Sequence, residues 1–221
     1  MGNSRFSCVL WDVDGTIADA SAGIMPRIEI VLNELGKPQI PADQVHLWIG
    51  PPMLESFQRL AGLSLSEAEA AVKRYRELAA QQGYANSVRL YDGIVDVIRE
   101  VHAAGIPQTT ASTKPGNQID AIFEHFQLTD LFVAVHGATP TPGVNDTKAD
   151  VLGRALDDMR SRGVDVSRPV LIGDRHHDVD GAAEFGVPVI FARWGFGSPE
   201  EETGSILAVD TPGALRDALL G

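Results

Sequence analysis

The stretch VLWDVDGTIADA, residues 9–20, decides the fold of this 221-residue chain. A largely apolar run from Phe6, broken by Ser7 alone, ends at Trp11, and Asp12, Asp14 and a Gly-Thr turn follow it. Side chains alternate along a strand, so the two aspartates point the same way, with Cα atoms about 6.6 Å apart at about 3.3 Å per residue. The sequence therefore predicts a buried strand that delivers two carboxylates to one ligand.

Composition limits the class of protein. With 44% hydrophobic and 22% charged residues, the chain fits one globular domain or a core with a smaller insertion. A net charge of -12 repels nucleic acid and anionic membranes, so a phosphorylated substrate needs a local positive site. The sequence shows no signal-peptide profile or membrane-length apolar stretch, and its single cysteine, Cys8, excludes an internal disulfide. We expect a soluble, cytoplasmic protein, with no nucleic-acid or membrane partner and an undefined oligomeric state.

Short apolar runs without polar alternation recur along the chain and predict strands that are buried on both faces. They cover residues 6–11, 131–135, 169–172 and 187–192, with a weaker Thr-rich run over 108–112. One-sided helical patterns separate them, over 93–104, 117–126 and 148–159. This alternation predicts an α/β fold with a doubly wound parallel sheet, whose ligands bind outside the carboxyl ends of the strands.

One long segment interrupts the alternation. Roughly seventy residues separate the first strand from the helix near Asp92, which is too many for a loop in a compact domain. Helical patterns fill this segment, over 25–35, 53–61 and 66–82, and a glycine follows each of them. We therefore predict a small all-helical cap domain, 18–87, inserted into a core domain formed by 1–17 and 88–221. Its position would let it cover the aspartates, exclude water and select substrates.

Other polar side chains also follow predicted strands. Ser112, Thr113 and Lys114 lie at the end of the run over 108–112. Asp174 and Asp178 follow the run over 169–172. Lys148 opens a helix, where a cation opposes the helix dipole and a bound anion would explain it. Four segments thus bring carboxylates, hydroxyls and lysines to one edge of the sheet.

This set of groups suits phosphoryl transfer through an aspartyl-phosphate. A carboxylate that attacks a phosphate meets a repulsion of about 4 kcal/mol per charge pair at 4 Å, so cations are required. A magnesium ion held by Asp12, the backbone carbonyl of Asp14 and Asp174 would supply positive charge. Asp12 would attack the phosphorus, and Asp14 would protonate the leaving oxygen and then activate water.

The phosphate itself needs donors of hydrogen bonds. Lys148, the Ser112 hydroxyl and the backbone amides of the Gly15-Thr16 turn are the candidates. Lys114 competes with Lys148 for the role of the main phosphate lysine, and both alternatives stay open at this point.

Four segments, DVDGTI, ASTKP, NDTKADVL and IGDRHHDVDGA, resemble in order the four motifs of the haloacid dehalogenase-like (HAD) phosphohydrolases with a helical cap. The resemblance covers nearly the whole chain and is closest to the phosphoglycolate phosphatase-like branch, which has a turn like Gly50-Pro51-Pro52 in the cap. It implies a Mg²⁺-dependent phosphatase with a HAD-like Rossmannoid core that acts on a small phosphorylated metabolite. By resemblance, Asp12 is the nucleophile, Asp14 the acid/base, Ser112 with Thr113 and Lys148 the phosphate binders, and Asp174 a metal ligand supported by Asp178.

Competing functions stay open. A phosphomutase of the β-phosphoglucomutase type would use the same groups, and a non-catalytic binding protein could retain the fold. His177-Asp178 suggests a metal phosphohydrolase of the His-Asp type, but such sites are assembled on helices with additional histidines. The acidic run 200–202 is predicted to be the solvated start of a helix. Phosphoglycolate, a nucleoside monophosphate, a sugar phosphate and pyrophosphate are all compatible substrates.

Overall fold

A computed structural model describes residues 5–141 and 144–221. Residues 1–4 lie outside the described residues. They open both the predicted core segment 1–17 and the N-terminal region where a signal peptide would lie. The strands are β1 (Cys8–Trp11), β2 (Ala18–Asp19), β3 (Arg89–Leu90), β4 (Gln108–Thr110), β5 (Ser112–Pro115), β6 (Gly137–Ala138), β7 (Pro169–Gly173), β8 (Val189–Ala192) and β9 (Leu207–Val209). The α-helices are α1 (Ser21–Glu34), α2 (Met53–Arg59), α3 (Leu65–Gln82), α4 (Ile94–Ala103), α5 (Gly116–His125), α6 (Lys148–Ser161), α7 (His176–Ala183) and α8 (Pro212–Leu220). Short 3₁₀-helices span Ala42–Trp48, Thr129–Leu131 and Pro199–Glu202.

The central sheet is parallel and is covered on both faces. Its strand order is β4-β1-β7-β8-β9, and every neighbouring pair is parallel. Alternate residues of β1 enter two different apolar clusters: Val9 and Trp11 join one, and Cys8 and Leu10 join the other. The first cluster includes buried residues of α4 and α8, and the second includes those of α6 and α7. This arrangement confirms the predicted doubly wound α/β fold.

The prediction of a strand over 131–135 is wrong. An isolated bridge between Thr109 and Ala134, rather than a continuous ladder, joins this segment to β4. The Thr109 hydroxyl donates to the Ala134 carbonyl at 2.9 Å, and the Thr110 hydroxyl donates to the His136 carbonyl at 2.8 Å. These side-chain bonds take the place of ladder bonds at the edge of the sheet, so the apolar segment lies beside β4 without forming a strand.

The insertion after β1 is helical, as predicted. Helices α1, α2 and α3 lie between β2 and β3, and these two strands pair antiparallel, with Ala18 opposite Leu90. We propose that this pair is the junction of the cap with the core, because the boundaries predicted at 17/18 and 87/88 fall beside it.

Candidate active site

Three buried carboxylates meet at the carboxyl ends of the two central strands. Asp12 directly follows β1, Asp174 directly follows β7, and Asp178 lies in the first turn of α7. One oxygen from each carboxylate lies within 4.8 Å of the others. Parallel strands bring their carboxyl ends to one edge, so residues far apart in the chain become neighbours there.

Lys148 neutralises part of this charge. Its Nζ lies 2.6 Å from Oδ1 of Asp12, 2.6 Å from Oδ1 of Asp178 and 2.7 Å from the carbonyl oxygen of Ala111. The unfavourable place of this cation in the first turn of α6 is therefore offset by two carboxylates of the same chain. The ammonium group donates hydrogen bonds to Asp12 and to the Ala111 carbonyl, and its contact with Asp178 is an ion pair without hydrogen-bond geometry.

Burial shifts the proton affinities in this cluster. Burial and the charges of Asp12 and Asp178 raise the pKa of Asp174 well above its ordinary value. Burial also raises the pKa of Asp12, while Lys148 acts against it. Burial lowers the pKa of Lys148, but the two carboxylates outweigh it and raise that pKa above its ordinary value, so the lysine stays protonated at neutral pH. Lys148 thus supplies one positive charge to three carboxylates, and the raised pKa of Asp174 shows that its ionised form lacks a compensating cation.

The second aspartate of the opening stretch has a lysine of its own. Nζ of Lys114 lies 2.7 and 3.0 Å from the two carboxylate oxygens of Asp14, and both side chains are mostly buried. The two competing lysines of the sequence therefore both lie at the site, on different carboxylates: Lys148 contacts Asp12 and Lys114 contacts Asp14. The structure does not place Asp14 in the carboxylate triad.

The turn after Asp14 uses its own amides. The amide of Gly15 donates to the Ala18 carbonyl at 2.9 Å, and that of Thr16 donates to the Val13 carbonyl at 3.3 Å. Within the described residues, the amides of Val13 and Asp14 donate to no other group. The two amides available for a bound phosphate are thus those directly after Asp12, two residues earlier than the sequence predicted.

Thr16 and Gly15 instead support Asp174. The Thr16 hydroxyl donates to Oδ1 of Asp174 at 3.3 Å, and the Phe196 amide donates to Oδ2 at 2.8 Å. Gly15 has a φ of +89°, and a Cβ there would lie 2.1 Å from Oδ2 of Asp174. Only glycine satisfies both the backbone angle and this close approach.

The two hydroxyl residues of β5 have different surroundings. The Ser112 hydroxyl accepts a hydrogen bond from the Lys114 amide at 3.3 Å and helps to lower the pKa of Asp12, which places it beside the triad. The Thr113 hydroxyl donates to the Gly50 carbonyl of the cap at 3.1 Å. Ser112 is therefore near Asp12, whereas the hydroxyl of Thr113 is engaged by the cap.

A buried arginine joins the cap to the core. Nη1 of Arg175 donates to the carbonyl of His46 at 3.1 Å and to that of Ile49, and its Nε donates to Oε2 of Glu201 at 2.9 Å. A Cβ on Gly50 would lie 2.8 Å from the arginine side chain. Glu201 is thus an ion-pair partner with only 15% of its side chain exposed, and the prediction of a solvated acidic run is wrong at this residue.

A small cavity lies between the cap and Asp14. Its volume is about 80 Å³, which is roughly five to eight times the space that one water molecule needs. Cap side chains, core side chains and the Gly50-Pro51-Pro52 turn line it together. The cap and the core therefore line one small space beside Asp14.

These features define a hydrolase of the haloacid dehalogenase-like class. A model of the haloacid dehalogenase-like hydrolase family matches residues 9–192, and the chain belongs to that family. The tyrosine-protein kinase PtkA of Mycobacterium tuberculosis is 35% identical over 96% of this chain and 70% of its own length. A 5'-nucleotidase of Pseudomonas aeruginosa is 33% identical over 89% of this chain and 87% of its own.

Phosphatases are also among the similar proteins. A phosphoglycolate phosphatase of Caulobacter vibrioides is 28% identical over 88% of this chain and 82% of its own length. A predicted phosphatase from Clostridium acetobutylicum has a similar crystal structure, with a TM-score of 0.87, 30% identity and coverage of 96% of this chain and 97% of that one. The family predicted from the four motifs is confirmed, and the chain is a haloacid dehalogenase-like hydrolase. Across the described ranges, no helix is both long and apolar enough to cross a membrane.

Proposed function

We propose that this protein is a magnesium-dependent phosphatase that hydrolyses a small phosphomonoester through a phosphorylated Asp12. The observation that carries the proposal is the buried triad of Asp12, Asp174 and Asp178 beside Lys148, with Asp14 and Lys114 next to it on the side of the cap cavity. Nucleophile, cation and proton-transfer group are then within one enclosed site.

The donor set fits a hard divalent cation. Three carboxylates supply oxygen ligands, and Lys148 balances only one of their charges. Asp12 and Asp174 would hold Mg²⁺, with Asp178 in support and the backbone carbonyl of Asp14 as a further oxygen ligand. Bound there, the ion would reduce the repulsion between the attacking carboxylate and the phosphate.

In the first step, a carboxylate oxygen of Asp12 attacks phosphorus and the bond from phosphorus to the leaving oxygen breaks. The protonated form of Asp14, which requires its carboxylate to take up a proton and give up the ion pair with Lys114, donates that proton to the leaving oxygen, so the leaving group departs as a neutral alcohol. The free amides of Val13 and Asp14, the Ser112 hydroxyl and Lys148 stabilise the charge on the phosphoryl oxygens. These donors are fixed by the fold before the substrate arrives.

In the second step, Asp14 takes a proton from water, and the oxygen of that water attacks the phosphorus of the phosphorylated Asp12. The bond from phosphorus to the Asp12 oxygen breaks, which releases inorganic phosphate and restores the carboxylate. The Asp14 carboxyl is protonated again and ready for the next leaving group.

The test is inorganic phosphate release from a panel of phosphomonoesters, with and without Mg²⁺. The proposal expects Mg²⁺-dependent release by the wild type and none by Asp12→Asn. Asp14→Asn should lose turnover, and with an aryl phosphate, whose leaving group needs no proton, it should accumulate a phosphorylated chain, because water is no longer activated. Asp180→Asn, on the exposed side of α7, is the matched control and should behave as wild type.

Two results would overturn the proposal. One is full activity of Asp12→Asn, and the other is no phosphate release from any ester while a sugar 1-phosphate is isomerised, which would identify a phosphomutase. Transfer to a protein tyrosine is a second candidate because of the 35% identity to a protein named as a tyrosine kinase. Phosphorylation of tyrosine by ATP, without release of phosphate from esters, would favour that function.

A further inference from the structure

Arg76 of the cap lines the cavity beside Asp14 and has no acidic partner among the described residues. It lies on α3 and is half-buried, and its one hydrogen bond within that part of the chain goes from Nη1 to the Pro140 carbonyl at 3.4 Å. Arg74 on the same helix, by contrast, pairs with Glu34 at 2.8 Å. Burial without a carboxylate lowers the pKa of Arg76, which shows that its charge is incompletely compensated.

The other charges around the cavity cancel. Asp14 pairs with Lys114 at 2.7 Å, and Asp146 pairs with Arg154 at 2.8 Å. The charged residues among those that line the cavity are Asp14, Arg76, Lys114 and Asp146. Among these four residues, Arg76 is therefore the one without an oppositely charged partner in the described part of the chain.

A second unused donor lies in the same cavity. Gln118 at the start of α5 is only 7% exposed, and no described residue forms a hydrogen bond with its side-chain amide. A guanidinium from the cap and an amide from the core thus line one small space, and neither has a strong protein partner in the described ranges.

We propose that Arg76 is a specificity residue that binds a carboxylate on the leaving group of the substrate, with Gln118 as a second donor. The inference rests on the proposed phosphatase function and defines its substrate as a short phosphorylated carboxylic acid. A planar guanidinium binds a carboxylate through two parallel hydrogen bonds. The cavity of about 80 Å³ has room for a carboxylate on one or two carbon atoms.

If Arg76 has only a structural role, its loss should have a different effect on the substrates. The bond to Pro140 connects the cap to the core, so Arg76 would then act on every substrate equally by holding the cap in place. At 3.4 Å that bond is longer than the usual range for N–H···O bonds, which indicates a weak contact. The two roles are separated by substrates that differ only in the carboxylate.

The test compares 2-phosphoglycolate with ethyl phosphate, in which a methyl group replaces the carboxylate. We expect the wild type to favour phosphoglycolate, and Arg76→Met to lower the ratio of the two kcat/KM values by about 10- to 100-fold. Lys73→Met removes a positive charge from the exposed face of the same helix, outside this cavity, and should leave the ratio unchanged. Gln118→Leu should lower the ratio in the same direction by a smaller factor.

Equal losses on both esters, or an unchanged ratio in Arg76→Met, would overturn the inference. A wild type that hydrolyses neither ester would instead count against the proposed function. The role of Arg76 is then tested separately, by measuring how tightly the two esters bind. For that purpose, calorimetry measures binding of 2-phosphoglycolate and ethyl phosphate to Asp12→Asn, with and without Arg76→Met. A loss of affinity for phosphoglycolate alone supports the role of Arg76, and equal affinities for the two esters refute it.

Discussion

Replacing Glu201 with glutamine tests how firmly the cap is joined to the core. Oε2 of Glu201 accepts hydrogen bonds from Nε of Arg175 at 2.9 Å and from the His176 amide at 3.0 Å. Burial acts to raise the pKa of Glu201, but these bonds outweigh it and bring the pKa to about 2. The same arginine binds two cap carbonyls, so the carboxylate fixes the side chain that spans the two parts.

The magnitude follows from the two pKa values. The Glu201 carboxyl has an ordinary pKa of 4.5, which falls to about 2 in the folded protein. This shift stabilises the folded protein by about 3 kcal/mol, at about 1.36 kcal/mol per pH unit. Because the folded-state pKa is the lower one, the contribution is fully present above pH 4.5 and is lost as the pH falls from 4.5 towards 2, where the folded protein also takes up the proton. At neutral pH, Glu201→Gln is therefore expected to be less stable by up to about 3 kcal/mol.

Urea unfolding at a series of pH values measures this difference. The gap in the free energy of unfolding between wild type and Glu201→Gln should be largest at neutral pH and should shrink below pH 4.5. Glu184→Gln is the control, because Glu184 is exposed and forms no ion pair among the described residues. A gap under about 0.5 kcal/mol at neutral pH, the size of an ordinary surface substitution, would refute the reasoning. So would a gap that is the same at neutral pH and in acid.

Two further predictions concern the triad. Lys148→Met leaves Asp12 and Asp178 without their cation and should destabilise the protein by about 3–5 kcal/mol in thermal or urea unfolding; a loss below about 1 kcal/mol would contradict this. Because the pKa of Asp174 is raised, protons compete with Mg²⁺ for this carboxylate, so affinity for Mg²⁺ should increase as the pH rises through that pKa. Titration calorimetry at a series of pH values measures this, and an affinity independent of pH would contradict it.

The parts of the site that follow directly from strands could be predicted. Uninterrupted apolar runs mark β1 and β7, and whatever follows such a run in a parallel sheet must emerge at one edge. That reasoning needs only local sequence and brought Asp12 and Asp174 together correctly. The helical insertion could be predicted for the same reason, because each of its helices has an apolar face of its own.

Contacts between distant side chains could not be predicted in this way. Asp14 and Lys114 are 100 positions apart, and nothing in either segment shows that Lys114 would pair with Asp14. Glu201 stands in a run of three acids, which is the usual pattern of a solvated surface, and only the approach of Arg175 buries it. The false strand over 131–135 has the same origin, since hydroxyls on β4 take the bonds that a ladder would need.

The way the fold encloses Asp174 connects stability to function. Backbone from two separate segments closes around this carboxylate. A Cβ added to Gly15 would lie 2.1 Å from Oδ2 of Asp174, and a Cβ added to Gly195 would lie 2.3 Å from the same atom. So close an enclosure excludes water, and this is why the ionised form of Asp174 is unfavourable in the protein alone. Ionising Asp174 in this enclosure therefore costs free energy that is absent from the unfolded chain, which lowers the stability of the folded protein at neutral pH. A cation that binds only the folded state removes this penalty, so the charge that destabilises the free protein is also what gives the site its affinity for a divalent ion.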